Sequence, residues 1–220
     1  MLLQEMRTDV MRYAQRMYKA GLTVGVSGNV SAIDRESNTI AITPSGMDYD
    51  ELTPEDITLI NMEGQVVDGT RRPSSEKMLH IKIYQSRPDV NAVFHTHSTY
   101  ATALAAMGEP IPVILAEVAA IAGGPIPVAP YARFGTPEFG DVAVAAMGDK
   151  PAALLQNHGV VCAGKDLQKA FLIAVDTEEA AKIYMFSLMA GKRAIRLNDE
   201  EIPVLHEIYA TRYGQNPLKP

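Results

Sequence analysis

The heptapeptide Ala92-Val93-Phe94-His95-Thr96-His97-Ser98 decides how the rest of the chain is read. It places two imidazoles two positions apart behind an apolar run. Side chains alternate faces along a strand, so a strand here points His95 and His97 the same way. One metal ion gripped by both rings suits that spacing. An isolated His-x-His is equally a half-exposed strand that happens to carry two histidines, and two further stretches move the reading toward a metal enzyme. His158 lies in Gln156-Asn157-His158-Gly159, directly after the apolar run Ala152 to Leu155, and Pro73-Ser74-Ser75-Glu76 precedes a helical pattern. Three neutral imidazoles with an open fourth position form the usual catalytic zinc arrangement, and a nearby carboxylate serves as fourth ligand or as base.

Composition bounds the rest. With 220 residues, 47% of them hydrophobic, the chain can bury a substantial core as one domain spanning residues 1–220, with a tail from about 214. A formal net charge of −6 without a lysine or arginine run argues against a nucleic-acid surface. Cys162 is the only cysteine, so no internal disulfide forms and a reducing cytoplasm suits every residue. Met1 to Ala20 carries six charged side chains, which excludes a secretory segment there, and no apolar run approaches the roughly 20 residues that span a bilayer. A soluble, cytoplasmic protein is expected.

Working outward, Met6, Val10, Tyr13, Ala14 and Met17 fall at helical spacing before Gly21. The run Gly21 to Ser31 reads as a loop whose glycines let backbone N–H groups approach an anion, with the Asn29 amide as a further donor. Strands are expected at 38–42 and 57–61, with Thr53-Pro54 opening a helical turn between them and a hairpin turn at 62–65. A helix follows Pro73-Ser74-Ser75-Glu76 to about Gln85; its N-terminus can seat a phosphate, or the serines can be ordinary caps. His80, one turn along, reads as packed or solvent-facing. Residues 99–106 and 137–147 are helical, 152–156 and 160–163 are strands flanking His158, and Cys162 is a small core residue. A long helix from 166 to 190 carries Leu167, Phe171, Val175, Tyr184 and Leu188 inward, and a last helix runs to about Tyr213. Glu117 is a lone acid among apolar residues, at a subunit edge or in a catalytic role.

Taken together, the series Ser27-Gly28-Asn29-Val30-Ser31, Thr43-Pro44-Ser45-Gly46, Pro73-Ser74-Ser75-Glu76, His95-Thr96-His97, Pro130-Tyr131-Ala132-Arg133-Phe134-Gly135-Thr136 and Asn157-His158-Gly159 resembles the class II aldolase/adducin-head family, nearest its L-fuculose-1-phosphate aldolase branch. The resemblance implies a three-layer α/β/α sandwich around a mixed, mostly antiparallel sheet of about nine strands. It also implies a homotetramer with active sites between subunits, one zinc ion per subunit, and a phosphorylated sugar as substrate. His95, His97 and His158 are then zinc ligands, and Glu76 is the acid/base that can also ligate the metal; Mn, Co or Fe suit the same donors. Gly28, Asn29, Ser45, Gly46, Ser74 and Ser75 form the phosphate pocket. The implied reaction is retro-aldol cleavage of a ketose 1-phosphate to dihydroxyacetone phosphate and a short aldehyde. Where the branch carries a His-Tyr pair, this chain has Ala116-Glu117, which makes Glu117 the candidate for the aldehyde oxygen's proton. Tyr213 resembles a tail tyrosine that helps close the site, and Arg133 is either a contact to a second polar group on the substrate or a surface arginine. The family also admits a ribulose-phosphate epimerase, a methylthioribulose-phosphate dehydratase, a keto-acid phosphate decarboxylase and a non-catalytic adducin-like module.

Overall fold

In the computed structural model, which describes residues 2–212, helices cover both faces of one sheet. In chain order the elements are α1 (Gln4–Lys19), β1 (Asn29–Asp34), β2 (Thr39–Ile42), β3 (Thr58–Ile60), β4 (Val66–Asp68), α2 (Lys77–Ser86), β5 (Ala92–Thr96), α3 (Thr99–Met107), α4 (Ala116–Ala122), β6 (Val128–Ala129), α5 (Pro137–Met147), β7 (Ala152–Leu155), β8 (Gly159–Gly164), α6 (Leu167–Met189) and α7 (Glu201–Arg212). The strand order is β4-β3-β2-β1-β5-β8-β7-β6, antiparallel throughout except between β6 and β7. The three-layer expectation holds, with eight strands among the described residues rather than about nine. Pro110, Pro112, Pro125, Pro127 and Pro130 lack the N–H a ladder needs. The 108–130 stretch therefore contributes no strand pairing beyond an isolated Ile111–Ile126 bridge and the two-residue β6.

Strand alternation feeds two cores. On β5, Ala92 and Phe94 pack with Val10, Ala14 and Met17 of α1, Leu104 of α3 and Phe171 of α6. Val93, one residue out of phase, packs with Leu79 and Ile83 of α2 and Phe139 and Ala143 of α5. Phe94 is fully buried, and removing such a side chain from water is worth about 1.5–3 kcal/mol. His95 continues the face of Val93, so it emerges between the sheet and the α2/α5 layer, with the Phe139 ring against it. The expected helical turn at Thr53-Pro54 is present as residues 54–56, with Thr53 and Asp56 bonding reciprocally.

Two elements differ from the expectations, and the helix α4 had none set for it. The run read as a loop as far as Ser31 ends in β1, which begins at Asn29; the glycines before it read as a loop, and the buried polar Asn29 and Ser31 weaken its apolar pattern. Ala116–Ala122 is helical, stopped by Gly123 in the left-handed region. Leu188 is not inward but 39% exposed. Burial along α6 ends at Ala181, because a 23-residue helix of about 35 Å outruns the core it packs on. Among the described residues no helix is long and apolar enough to cross a membrane.

Candidate active site

β5 sets the centre. The His95 Nδ1–H donates to the Val160 carbonyl on β8 at 2.9 Å, so its Nε2 presents a lone pair. His97 follows the last strand residue, its backbone N–H held by the Leu22 carbonyl at 3.1 Å. His158 sits in the tight β7–β8 turn, made possible by Asn157 at φ +56°. Glu76 occupies the N-cap position of α2, and its side chain does not cap the helix. The four converge. His95 Nε2 is 3.0 Å from both His97 Nε2 and His158 Nε2. Glu76 Oε1 is 2.8 Å from His158 Nε2, and Oε2 is 3.3 Å from His95 Nε2.

All four ligand atoms lie within 4.8 Å of one another. Glu76 Oε1 is buried without an aligned hydrogen bond. Three imidazole nitrogens and an anionic oxygen aimed at one point are a donor set that fits a divalent cation. Two glycines let the strands close on this point. Gly28 has φ +76°, and a Cβ there would lie 2.6 Å from the His95 carbonyl oxygen. A Cβ on Gly159 would lie 2.5 Å from the Thr96 carbonyl oxygen.

The charges interlock. Burial alone would raise the Glu76 carboxyl, but His95 and then His158 outweigh it and hold the group well below the usual carboxylate range. Burial would lower the His95 imidazole, and the Glu76 carboxylate reverses that to a net rise. His97 falls to about 4, through burial and then the neighbouring His95 and His158.

Beside the cluster opens a cavity of about 290 Å³. Its far wall is made where the turns at 43–46 and 73–76 are laced together: Ser45 N–H donates to the Arg72 carbonyl and Ser74 N–H to the Thr43 carbonyl, each at 3.0 Å. Ser45, Gly46, Ser74 and Ser75 line the cavity, together with Gly28 and Asn29. Ser74 Oγ accepts from the Glu76 N–H at 3.2 Å, one turn before the helix proper. The structure thus brings together His95, His97, His158, Glu76 and the six proposed phosphate residues. The Asn29 amide, however, donates to Glu76 Oε2 at 2.8 Å.

Glu117 stands apart, exposed on α4 beside α6 and α7. Burial pushes the facing Asp176 carboxyl up against the pull of Lys169, and Glu117 adds to the rise. Arg133 is exposed and does not line the cavity; its carbonyl accepts from Thr136 Oγ1 at 2.6 Å. Tyr213 lies outside the described residues. Sequence reasoning passed over Val26 and Phe134, both lining the cavity, with the Phe134 ring 6.0 Å from that of His158. The signal available for Phe134 was its place in a quoted motif. Of the two readings of His80, the packed one holds: the side chain is fully buried and bonded to Asn29 Oδ1.

Residues 8–185 match the family model described as class II aldolase and adducin N-terminal domain. The chain belongs to that family. It is an enzyme of the metal-dependent class II aldolase type. The 5-deoxy-D-ribulose 1-phosphate aldolase of Bacillus thuringiensis serovar kurstaki is 40% identical to this class II aldolase over 200 residues, 91% of this chain and 93% of the relative. The L-fuculose phosphate aldolase of Escherichia coli K12 is 40% identical over 198 residues, 90% of each chain. A solved L-fuculose 1-phosphate aldolase structure superposes with a TM-score of 0.90 at 39% identity, covering 94% of this chain and 96% of that one.

Proposed function

We propose that this class II aldolase is zinc-dependent and reversibly cleaves a ketose 1-phosphate to dihydroxyacetone phosphate and a short aldehyde. The observation that carries the reading is the convergence of His95, His97, His158 and Glu76 beside a cavity walled by Ser45, Gly46, Ser74 and Ser75. Relatives named for a 5-deoxyribulose and a fuculose phosphate stand at equal identity, which supports a ketose 1-phosphate head and leaves the tail to be ranked.

The three imidazoles would hold zinc, with Glu76 able to ligate it in the resting site, and the bound ion would supply Lewis-acid charge to a substrate carbonyl oxygen. The small residues hold the phosphate through hydroxyls and backbone N–H groups beside the N-terminus of α2, whose dipole favours an anion. Glu76 moves the proton on the dihydroxyacetone phosphate carbon, through a carboxylate held between Asn29 and the histidines. Glu117 of a neighbouring subunit handles the aldehyde oxygen's proton, and Tyr213 closes the site. The enzyme works in the cytoplasm as a single-domain homotetramer with sites between subunits.

The test is metal analysis together with a coupled assay for dihydroxyacetone phosphate release from L-fuculose 1-phosphate and 5-deoxy-D-ribulose 1-phosphate, on wild type and Glu76→Gln. Stoichiometric zinc, with release that collapses in the variant, is the expected result. Zinc without cleavage of either substrate would replace the aldol step by another sugar-phosphate reaction. Absence of bound metal would remove the reading altogether.

A further inference from the structure

Glu76, His80 and Tyr84 recur every four residues, so they form one stripe of α2 and its approach. Asn29 and Ser31 alternate on the facing side of β1. Where the two stripes meet, Asn29, Ser31, His80 and Tyr84 are each between 0% and 3% exposed. An apolar layer would hold the helix on the sheet without desolvating polar groups. Four buried polar side chains are tolerated only when each is bonded.

Here the bonds form a single chain. Asn29 Nδ2 lies 2.8 Å from Glu76 Oε2, Asn29 Oδ1 meets His80 Nε2, His80 Nδ1 is 2.6 Å from Ser31 Oγ, and Ser31 Oγ is 2.7 Å from the Tyr84 hydroxyl.

The direction of every bond is forced from one end. An ionised carboxylate only accepts, so Asn29 turns its NH₂ to Glu76 and its carbonyl to His80. His80 must then carry its proton on Nε2. Burial pushes its pKa down to about 3, so the ring is neutral and Nδ1 accepts. Ser31 therefore donates to His80, and Tyr84 donates to Ser31. The result at the site is an asymmetric carboxylate: Oε2 is bonded to this chain, whereas Oε1 has no aligned hydrogen bond and faces His158.

We propose that Tyr84, Ser31, His80 and Asn29 are positioning residues, a one-way hydrogen-bond chain that fixes the Glu76 carboxylate by Oε2 and presents Oε1 to the reacting centre. The inference rests on the catalytic reading of Glu76 given above. Catalytic groups need placement within about 0.5 Å, and supporting hydrogen bonds supply it.

The test has two arms on the zinc-loaded enzyme. In the first, the ¹⁵N spectrum of histidine-labelled protein reports the His80 tautomer from pH 5 to 8. A neutral ring protonated on Nε2 is expected; protonation on Nδ1, or a charged ring, overturns the chain. In the second, Ser31→Ala and His80→Leu lower kcat about 10- to 100-fold at saturating zinc with KM nearly unchanged. His80→Gln, whose amide can still donate to Asn29 and accept from Ser31, recovers most of that loss. A folded His80→Leu protein with wild-type kcat overturns the proposal. Glu76→Gln runs in parallel: full activity there removes the reading of Glu76 itself, while the tautomer still decides whether the chain exists.

Discussion

Gly159→Ala puts the geometry of the cluster to a quantitative test. The new Cβ would sit 2.5 Å from the Thr96 carbonyl oxygen, 3.2 Å from His95 Cε1 and 3.3 Å from His97 Cδ2. Carbon–oxygen contacts between strands settle near 3.3–3.6 Å, so β8 and β5 must part by about 0.8 Å. Metal–ligand distances tolerate only about 0.2 Å. The obstacle is backbone, so no side-chain rotation relieves it, and overpacking of this kind costs about 1–3 kcal/mol. If that strain falls on the ligand strand, zinc affinity drops at least about tenfold, since about 1.4 kcal/mol is a factor of ten. Gly164→Ala is the matched control. Its Cβ would lie 2.6 Å from Ala170 N, at the other end of the same strand and away from the histidines. Urea unfolding in chelator measures the strain in both proteins, and competition against a chromophoric chelator measures zinc. Both variants should lose similar stability, and only Gly159→Ala should lose zinc. Wild-type zinc affinity in a folded Gly159→Ala protein, or an equal loss in Gly164→Ala, refutes the reasoning.

Other outcomes follow from the same structure. Glu117→Ala should lower kcat at least about 100-fold, as loss of a proton-transfer group does, with zinc content unchanged because the residue stands outside the cluster; unchanged kcat removes its catalytic role. Glu178 accepts from Tyr100 N–H and Ala101 N–H at 2.9 Å each, in place of a side-chain cap at Ser98. Glu178→Ala should therefore cost about 1–3 kcal/mol in chemical denaturation. Stability should also fall in acid. The folded His80 pKa is about 3, below the ordinary imidazole value, so the unfolded chain takes the proton first. The His80 contribution is complete above about pH 6.5 and falls as pH drops, reaching a deficit of about 2 kcal/mol at pH 5. Urea titrations at pH 7 and pH 5 should show that His80→Gln shrinks the drop by about that amount. Sedimentation should place the protein at four times the 23.9 kDa chain mass, and a monomer would refute the shared-site reading.

The local patterns were legible wherever a single element carries them. Period-two spacing placed His95 and His97 on one side, and the proline and glycine punctuation around α5 marked its ends at Thr136 and Gly148. Glycines at 21, 25 and 28 masked the approach to β1, and α4 has too few residues for a helical period to stand out. The inward assignment of Leu188 failed because helical periodicity says which residues share a face, not where the underlying core ends.

By itself, the sequence determined the layered α/β class, the residue types of the candidate metal site and the two small-residue turns, because periodicity, turn chemistry and side-chain donors are properties of short stretches. Only the tertiary structure decided which groups meet. It spent the Asn29 amide on Glu76, drew His80 and Tyr84 into contact with Ser31, and set Glu117 beside Asp176 rather than beside the histidines. These pairings join residues tens of positions apart through strand register and helix packing, and the distances that confer chemistry on them are fixed only when the sheet and its two helical layers close together.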